Sequence, residues 1–227
     1  ETVAIAIPFY LAHPELQEMH AERTGHVEGR DREEILRYLR HEMGHVVNYA
    51  YRLYDDAEWE ALFGSMSEPY EDDYRPVPFS RKHVRHLPGW YAQKHPDEDW
   101  AETFAVWLTP GSQWEEKYAE WPALRKLEYI EEVMEEVADR PPLVGTRRTP
   151  LALPSLKRTL RVHYRRKRRH YRVDEKGFYD RDLRKLFSDR PEHAGNMKAA
   201  RFIARIRREV RRMVASWTGE YQYTIDH

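Results

Sequence analysis

Between Asp31 and Tyr54 the apolar residues Ile35, Leu36, Leu39, Met43, Val46, Val47 and Ala50 recur at helical spacing. Asp31 suits the N-cap, and Glu33 and Glu34 follow in the first turn, where the helix dipole favours acids. The pattern predicts one helix over about 31–54. In its middle stands His41-Glu42-Met43-Gly44-His45. Positions i and i+4 share a helix face, so the two imidazoles can meet one metal ion. The glutamate between them can reach a water on that ion. The same spacing also describes two surface histidines on an amphipathic helix. The motif's place among apolar residues argues against that, because two imidazoles and a carboxylate buried without partners are costly.

Composition narrows the choice of ligands. The chain of 227 residues has no cysteine, so disulfides and thiolate ligands are excluded and a metal must be held by His, Asp or Glu. The motif points to zinc, one ion per chain. A catalytic zinc takes a third protein ligand and keeps a position open for water. That ligand is expected on a second helix, which opens at Pro96 with PDEDWAETFAVWL and is stopped by Thr109-Pro110-Gly111. His95, Glu98, Asp99 and Glu102 are its candidates. Glu98 and Glu102 share a face, so one can bind the metal while the other orients a ligand histidine. The helix dipole alone accounts for Asp97, Glu98 and Asp99 in a first turn. It does not account for Glu102, set among Trp100, Ala101, Phe104, Ala105 and Leu108.

The segments LRHEMGHVVNYAYRLY and LPGWYAQKHPDEDWAETFAVWLTP resemble the bacterial "putative zinc-binding metallopeptidase" family over about residues 31–110. HEMGH followed by EDWAETF is similar to the gluzincin pattern, in which HExxH is followed on a later helix by a glutamate ligand. The catalytic domain of anthrax lethal factor has a similar arrangement. The resemblance implies a zincin-like core in which His41 and His45 bind zinc, Glu42 is the general base and Glu98 is the third ligand. Glu102 falls where the related pattern keeps a second carboxylate. Tyr91, seven residues before Glu98, falls where a tyrosine of the lethal-factor type stabilises the oxyanion. The family's Cys-rich N-terminal zinc ribbon has no counterpart in this chain. The implied activity is zinc-dependent hydrolysis of peptide bonds in a peptide or protein, internal bonds expected. Zinc would polarise the carbonyl and acidify its water, and Glu42 would carry the proton to the leaving amine. His83 and His86, in KHVRH, are further candidates for the oxyanion, with solvated loop histidines as the plainer reading.

Around this centre the chain reads as mainly α with a small β element. Thr2–Ile7, TVAIAI, alternates like a strand. AEWEALF at 57–63 and LRKLEYIEEVMEEVA near 123–139 read as helices, with a long irregular connection over 64–96. Residues 1–140 form the expected core, 141–153 a proline-rich linker, and 154–227 a basic helical extension with helices near 154–170, 180–187 and 197–216. The net charge of −1 hides an asymmetry, with 15 basic and 30 acidic residues before position 141 and 23 basic and 9 acidic from there on. The favoured reading is an extension docked on the acidic core. The alternative is a zinc-stabilised, non-catalytic module whose basic half, with Arg165-Arg166-Lys167-Arg168-Arg169 beside His163, Tyr164, His170 and Tyr171, engages nucleic acid or an acidic partner. No apolar run of about 18 residues and no signal peptide is present, which leaves no membrane span and a cytoplasmic location as the expectation. The first residue is Glu1 rather than Met, so a trimmed N-terminus is expected.

Overall fold

A computed structural model describes residues 3–24, 27–29, 31–71, 74, 76–77, 79–145, 155–170 and 190–218. Eight α-helices appear among them: α1 (Pro14–Thr24), α2 (Arg32–Tyr51), α3 (Ala57–Phe63), α4 (Pro96–Trp107), α5 (Trp114–Lys117), α6 (Leu124–Val137), α7 (Leu160–His170) and α8 (Ala199–Thr218). They group into two compact units, Glu1–Gln17 with Glu28–Lys157, and Glu18–Val27 with Arg158–His227.

The first unit is organised by α4. Every residue from Pro96 to Val106 is buried. One side of the helix packs against α3 and α6, where Trp59, Phe63, Trp100, Ala101, Phe104, Tyr129 and Ile130 form a continuous aromatic core. Near its C-terminal end, Val106 joins Val84, Trp114, Tyr118, Ala123 and Leu127 in a second apolar cluster. The side toward α2 carries the polar residues described below. Local sequence sets the helix ends. Asp31 caps α2 by accepting from the Glu34 amide at 2.9 Å, and Arg52 ends it in the left-handed region at φ 55°. Asp56 caps α3 through the Glu58 and Trp59 amides. Pro96 occupies the first turn of α4, where its missing N–H costs nothing.

The crossing of α2 and α4 depends on Gly44. A Cβ there would lie 2.8 Å from Ala101 Cα and 3.2 Å from both Ala101 O and Phe104 Cβ. No side chain fits that gap, so glycine lets the two helices approach until Trp100 Nε1 donates to the Gly44 carbonyl at 2.8 Å.

The expected β element is overturned. Residues 3–7 bend at Ala4 and join no ladder, and no strand occurs among the described residues. Alternating side chains make a strand only when a neighbouring strand takes up its amides and carbonyls, and this single short run has none. Ile7 stays largely exposed. The remaining expectations fare unevenly. The helix expected at 31–54 ends at Tyr51 and is followed by a 3-10 turn at Leu53–Asp55, and α1 had no counterpart in the sequence reading. Residues 141–145 are non-helical, while the rest of the proline-rich stretch and the helix expected at 180–187 lie outside the described residues.

In the second unit, α7 begins at Leu160, later than expected, and Tyr164 packs edge-on against His20, with its hydroxyl 3.2 Å from His20 Nδ1. Helix α8 has a stripe of Phe202, Ile203, Ile206, Val210 and Met213 beside arginines 201, 205, 207, 208, 211 and 212. No helix among the described residues is long and apolar enough to cross a membrane.

Candidate metal centre

Helix α2 places His41 and His45 one turn apart on the face that meets α4, and α4 places Glu98 opposite them. His41 Nε2 lies 3.2 Å from His45 Nε2 and 3.0 Å from Glu98 Oε2, and His45 Nε2 lies 3.3 Å from the same oxygen. Three donor atoms thus converge on one point. With bonds of about 2.05 Å, a tetrahedral zinc keeps its ligand atoms roughly 3.3 Å apart. The triangle fits that ion. Glu98 Oε2, the oxygen that faces the two imidazoles, is buried and makes no aligned hydrogen bond. The two imidazole nitrogens are close enough to share either a hydrogen bond, with one ring the donor, or a cation between their lone pairs. Among the described residues, His41, His45 and Glu98 form a group that could hold a metal ion.

Each imidazole is backed by a carboxylate. His41 Nδ1 donates to Glu102 Oε1 at 2.9 Å, and the other oxygen of Glu102 accepts from the Leu87 amide at 2.8 Å. This bond fixes the tautomer that turns the His41 Nε2 lone pair toward the centre. Glu102 is fully buried, and two good partners explain how an acid survives among aromatic residues. Behind His45, Asp97 Oδ2 stands 3.1 Å from Nδ1 without the alignment of a hydrogen bond. Asp97 is itself held by Asn48 Nδ2 at 3.1 Å and by the Tyr49 hydroxyl.

The other oxygen of Glu98 faces two phenols. Tyr70 donates to Oε1 at 2.6 Å, and Tyr91 lies 3.4 Å from the same oxygen and 3.3 Å from the Tyr70 hydroxyl. The Tyr91 ring is 5.6 Å from that of His41. Burial and the Glu98 carboxylate together push the Tyr70 pKa up, which keeps its hydroxyl a donor. Glu42, half-buried on α2, makes no hydrogen bond or ion pair among the described residues.

The electrostatics of the centre favour positive charge. Burial opposes charge on His41, yet the hydrogen bond with Glu102 and the Glu98 carboxylate beside the ring outweigh it and lift the pKa to about 9. Burial likewise opposes charge on His45, and Asp97 and Glu98 lift it to about 10. Glu98 is raised by burial but drawn well below the usual carboxylate range by the two histidines, and Asp97 is lowered in the same way by His45. Three buried carboxylates around two imidazoles therefore demand positive charge, and a dication supplies it without protons.

The remaining sequence candidates have other work. His95 is the N-cap of α4, accepting from the Asp97 amide through Nδ1, while its Nε2 pairs with the Glu68 carbonyl. Asp99 points away from the centre to Lys126, and burial, the dominant influence, pushes its pKa up to about 7 despite that partner. His86 is bonded through Nε2 to the Arg37 carbonyl at 2.9 Å. His83 is partly buried 3.8 Å from Asp99 Oδ2, and burial with Lys126 and Lys82 lowers its pKa to about 4. Neither is a solvated loop histidine. Sequence reasoning missed Asp97, which it explained by the helix dipole, and with it Asn48 and Tyr49. These stand three and four residues after His45, one turn on, so the HVVNY spacing held a signal. Nothing local marked Tyr70.

No curated protein and no solved structure is a significant match to the chain. A family model does match, and it spans α1 through α5, including both helices that form the centre. Residues 12–121 of this chain thus match the model of the family described as "putative zinc-binding metallo-peptidase".

Proposed function

We propose that the chain is a zinc-dependent hydrolase of peptide bonds, holding one ion through His41, His45 and Glu98. The observation that carries this reading is the convergence of the three donor atoms, each at the spacing of a tetrahedral ligand set. Zinc bound there supplies Lewis acidity to the scissile carbonyl and to the attacking water. Glu42, next to His41 on the same helix, takes the proton of that water and returns it to the leaving amine. Its lack of a structural partner supports this role, since a closed structural site has no use for an acid between its ligands. Tyr91, beside the ring of His41, donates to the developing oxyanion. Glu102 and Asp97 hold the two imidazoles in orientation. Internal peptide bonds are the finer part of the proposal, read from whether fragments from the middle of a protein substrate accumulate.

The test compares wild type, His45→Ala and Glu42→Gln, purified without added metal. The expected result is about one zinc per chain in wild type and in Glu42→Gln, and its loss in His45→Ala. Cleavage of a mixed peptide library should fall on the order of a hundred-fold or more in Glu42→Gln. A wild type that takes up no zinc at micromolar free metal would end the metal reading. Zinc without Glu42-dependent cleavage would leave the non-catalytic module.

A further inference from the structure

The open fourth position is not guaranteed by three ligands, because a carboxylate can bind a metal through both its oxygens. Glu98 presents Oε2 to the two imidazoles, and whether Oε1 follows depends on what else holds it. That atom accepts from the Tyr70 hydroxyl at 2.6 Å, a short charge-assisted bond. The bond comes from the irregular connection after α3, not from either ligand helix. Tyr91 is a weaker second donor at 3.4 Å. Tyr70 is itself steadied, with Lys94 Nζ 4.4 Å from its ring centroid and the His95 ring 5.3 Å away. The ring is about half exposed, so the packed core does not account for its placement.

We propose that Tyr70 is a positioning residue that restricts Glu98 to one-oxygen ligation, keeping a metal coordination position free for water and substrate. The proposal rests on the zinc reading above. It assigns a function to a residue that touches neither the metal ligand atoms nor the HExxH motif. It also predicts a division of labour between the two phenols: Tyr70 governs the mode of Glu98 binding, and Tyr91 is left to the reaction.

The test uses the full chain with cobalt(II) in place of zinc, since the visible spectrum of cobalt reports coordination number whether or not a substrate is known. Tyr70→Phe and Tyr91→Phe keep their rings and are compared with wild type. Wild type should give the intense bands of four-coordinate cobalt. Tyr70→Phe should give weaker bands, as Glu98 Oε1 joins the metal and raises the coordination number, and its metal affinity should change by about ten-fold in chelator competition. Tyr91→Phe should keep the wild-type spectrum. An unchanged spectrum in Tyr70→Phe would overturn the proposal, even with weaker binding, because general loosening of the site also weakens binding. The change appearing in Tyr91→Phe alone would overturn it too, by giving the role to the other phenol. Wild type that binds no cobalt would fail the underlying metal reading, an outcome visible before any variant is made. Circular dichroism confirms that each variant is folded, and Tyr70→Leu, which also lacks the hydroxyl, serves as the second variant and must show the same spectral change.

Discussion

At the scale of the residue, the centre is governed by groups that hold its two histidines from behind. Glu102 uses one oxygen on His41 and the other on the Leu87 amide. A glutamine has one acceptor oxygen and one donor group, so Glu102→Gln must set a donor against a donor on one side. Zinc affinity by chelator competition should fall about 10- to 100-fold, and urea unfolding of the metal-free protein should show a loss of about 1–3 kcal/mol. His83 supplies a pH prediction. Its folded pKa of about 4 lies below the 6.5 of an ordinary histidine, so the folded state binds fewer protons than the unfolded one between these limits. Its contribution is present above about pH 6.5 and is lost as pH falls toward 4. Urea midpoints between pH 7 and pH 4.5 should therefore drop further in wild type than in His83→Gln, by on the order of 1–3 kcal/mol. Equal drops would remove His83 from the acid response.

The element scale belongs to the α2–α4 crossing. Gly44→Ala adds helix propensity worth about 1 kcal/mol, but it drives a methyl to within 2.8 Å of the Ala101 backbone. Backbone cannot swing aside as a flexible side chain can, so the clash wins. The expected net loss is about 1–3 kcal/mol in denaturant unfolding, together with weaker metal binding as the ligand helices part. Much of this crossing was legible. Helical periodicity gave α2, α3, α4 and α6 close to their observed bounds, and HEMGH named two of the residues that converge on the centre, because both signals are local to one helix. Glu98 needed the family resemblance, since several acids compete for one role in the first turns of α4. Asp97 was misread because an acid beside a helix N-terminus already has a sufficient local explanation. Tyr70 lies 28 residues before Glu98 in an irregular connection, and no periodicity links such residues. The strand at the N-terminus failed for the converse reason: alternation is local, but a sheet needs a partner that the sequence pattern does not name.

For the whole molecule, the centre joins the ligand helices to the aromatic core of one compact unit, so occupancy should be felt in that unit's stability. Free zinc at a hundred times its dissociation constant stabilises the bound form by about 2.7 kcal/mol. For a protein of this size that corresponds to a rise of about 5–10 °C in the unfolding transition of the metal-bearing unit. Calorimetry with and without zinc should show that rise in wild type and not in His45→Ala. A similar rise in both would place the stabilising metal elsewhere.

The double use of Glu102 also has a consequence in time. One carboxylate holds both the amide of the connecting segment at Leu87 and the ring of a ligand histidine. A fluctuation that releases the Leu87 amide for exchange with solvent removes half the anchorage of the His41 brace. Breathing of the connection and reorientation of the imidazole therefore run on a shared clock.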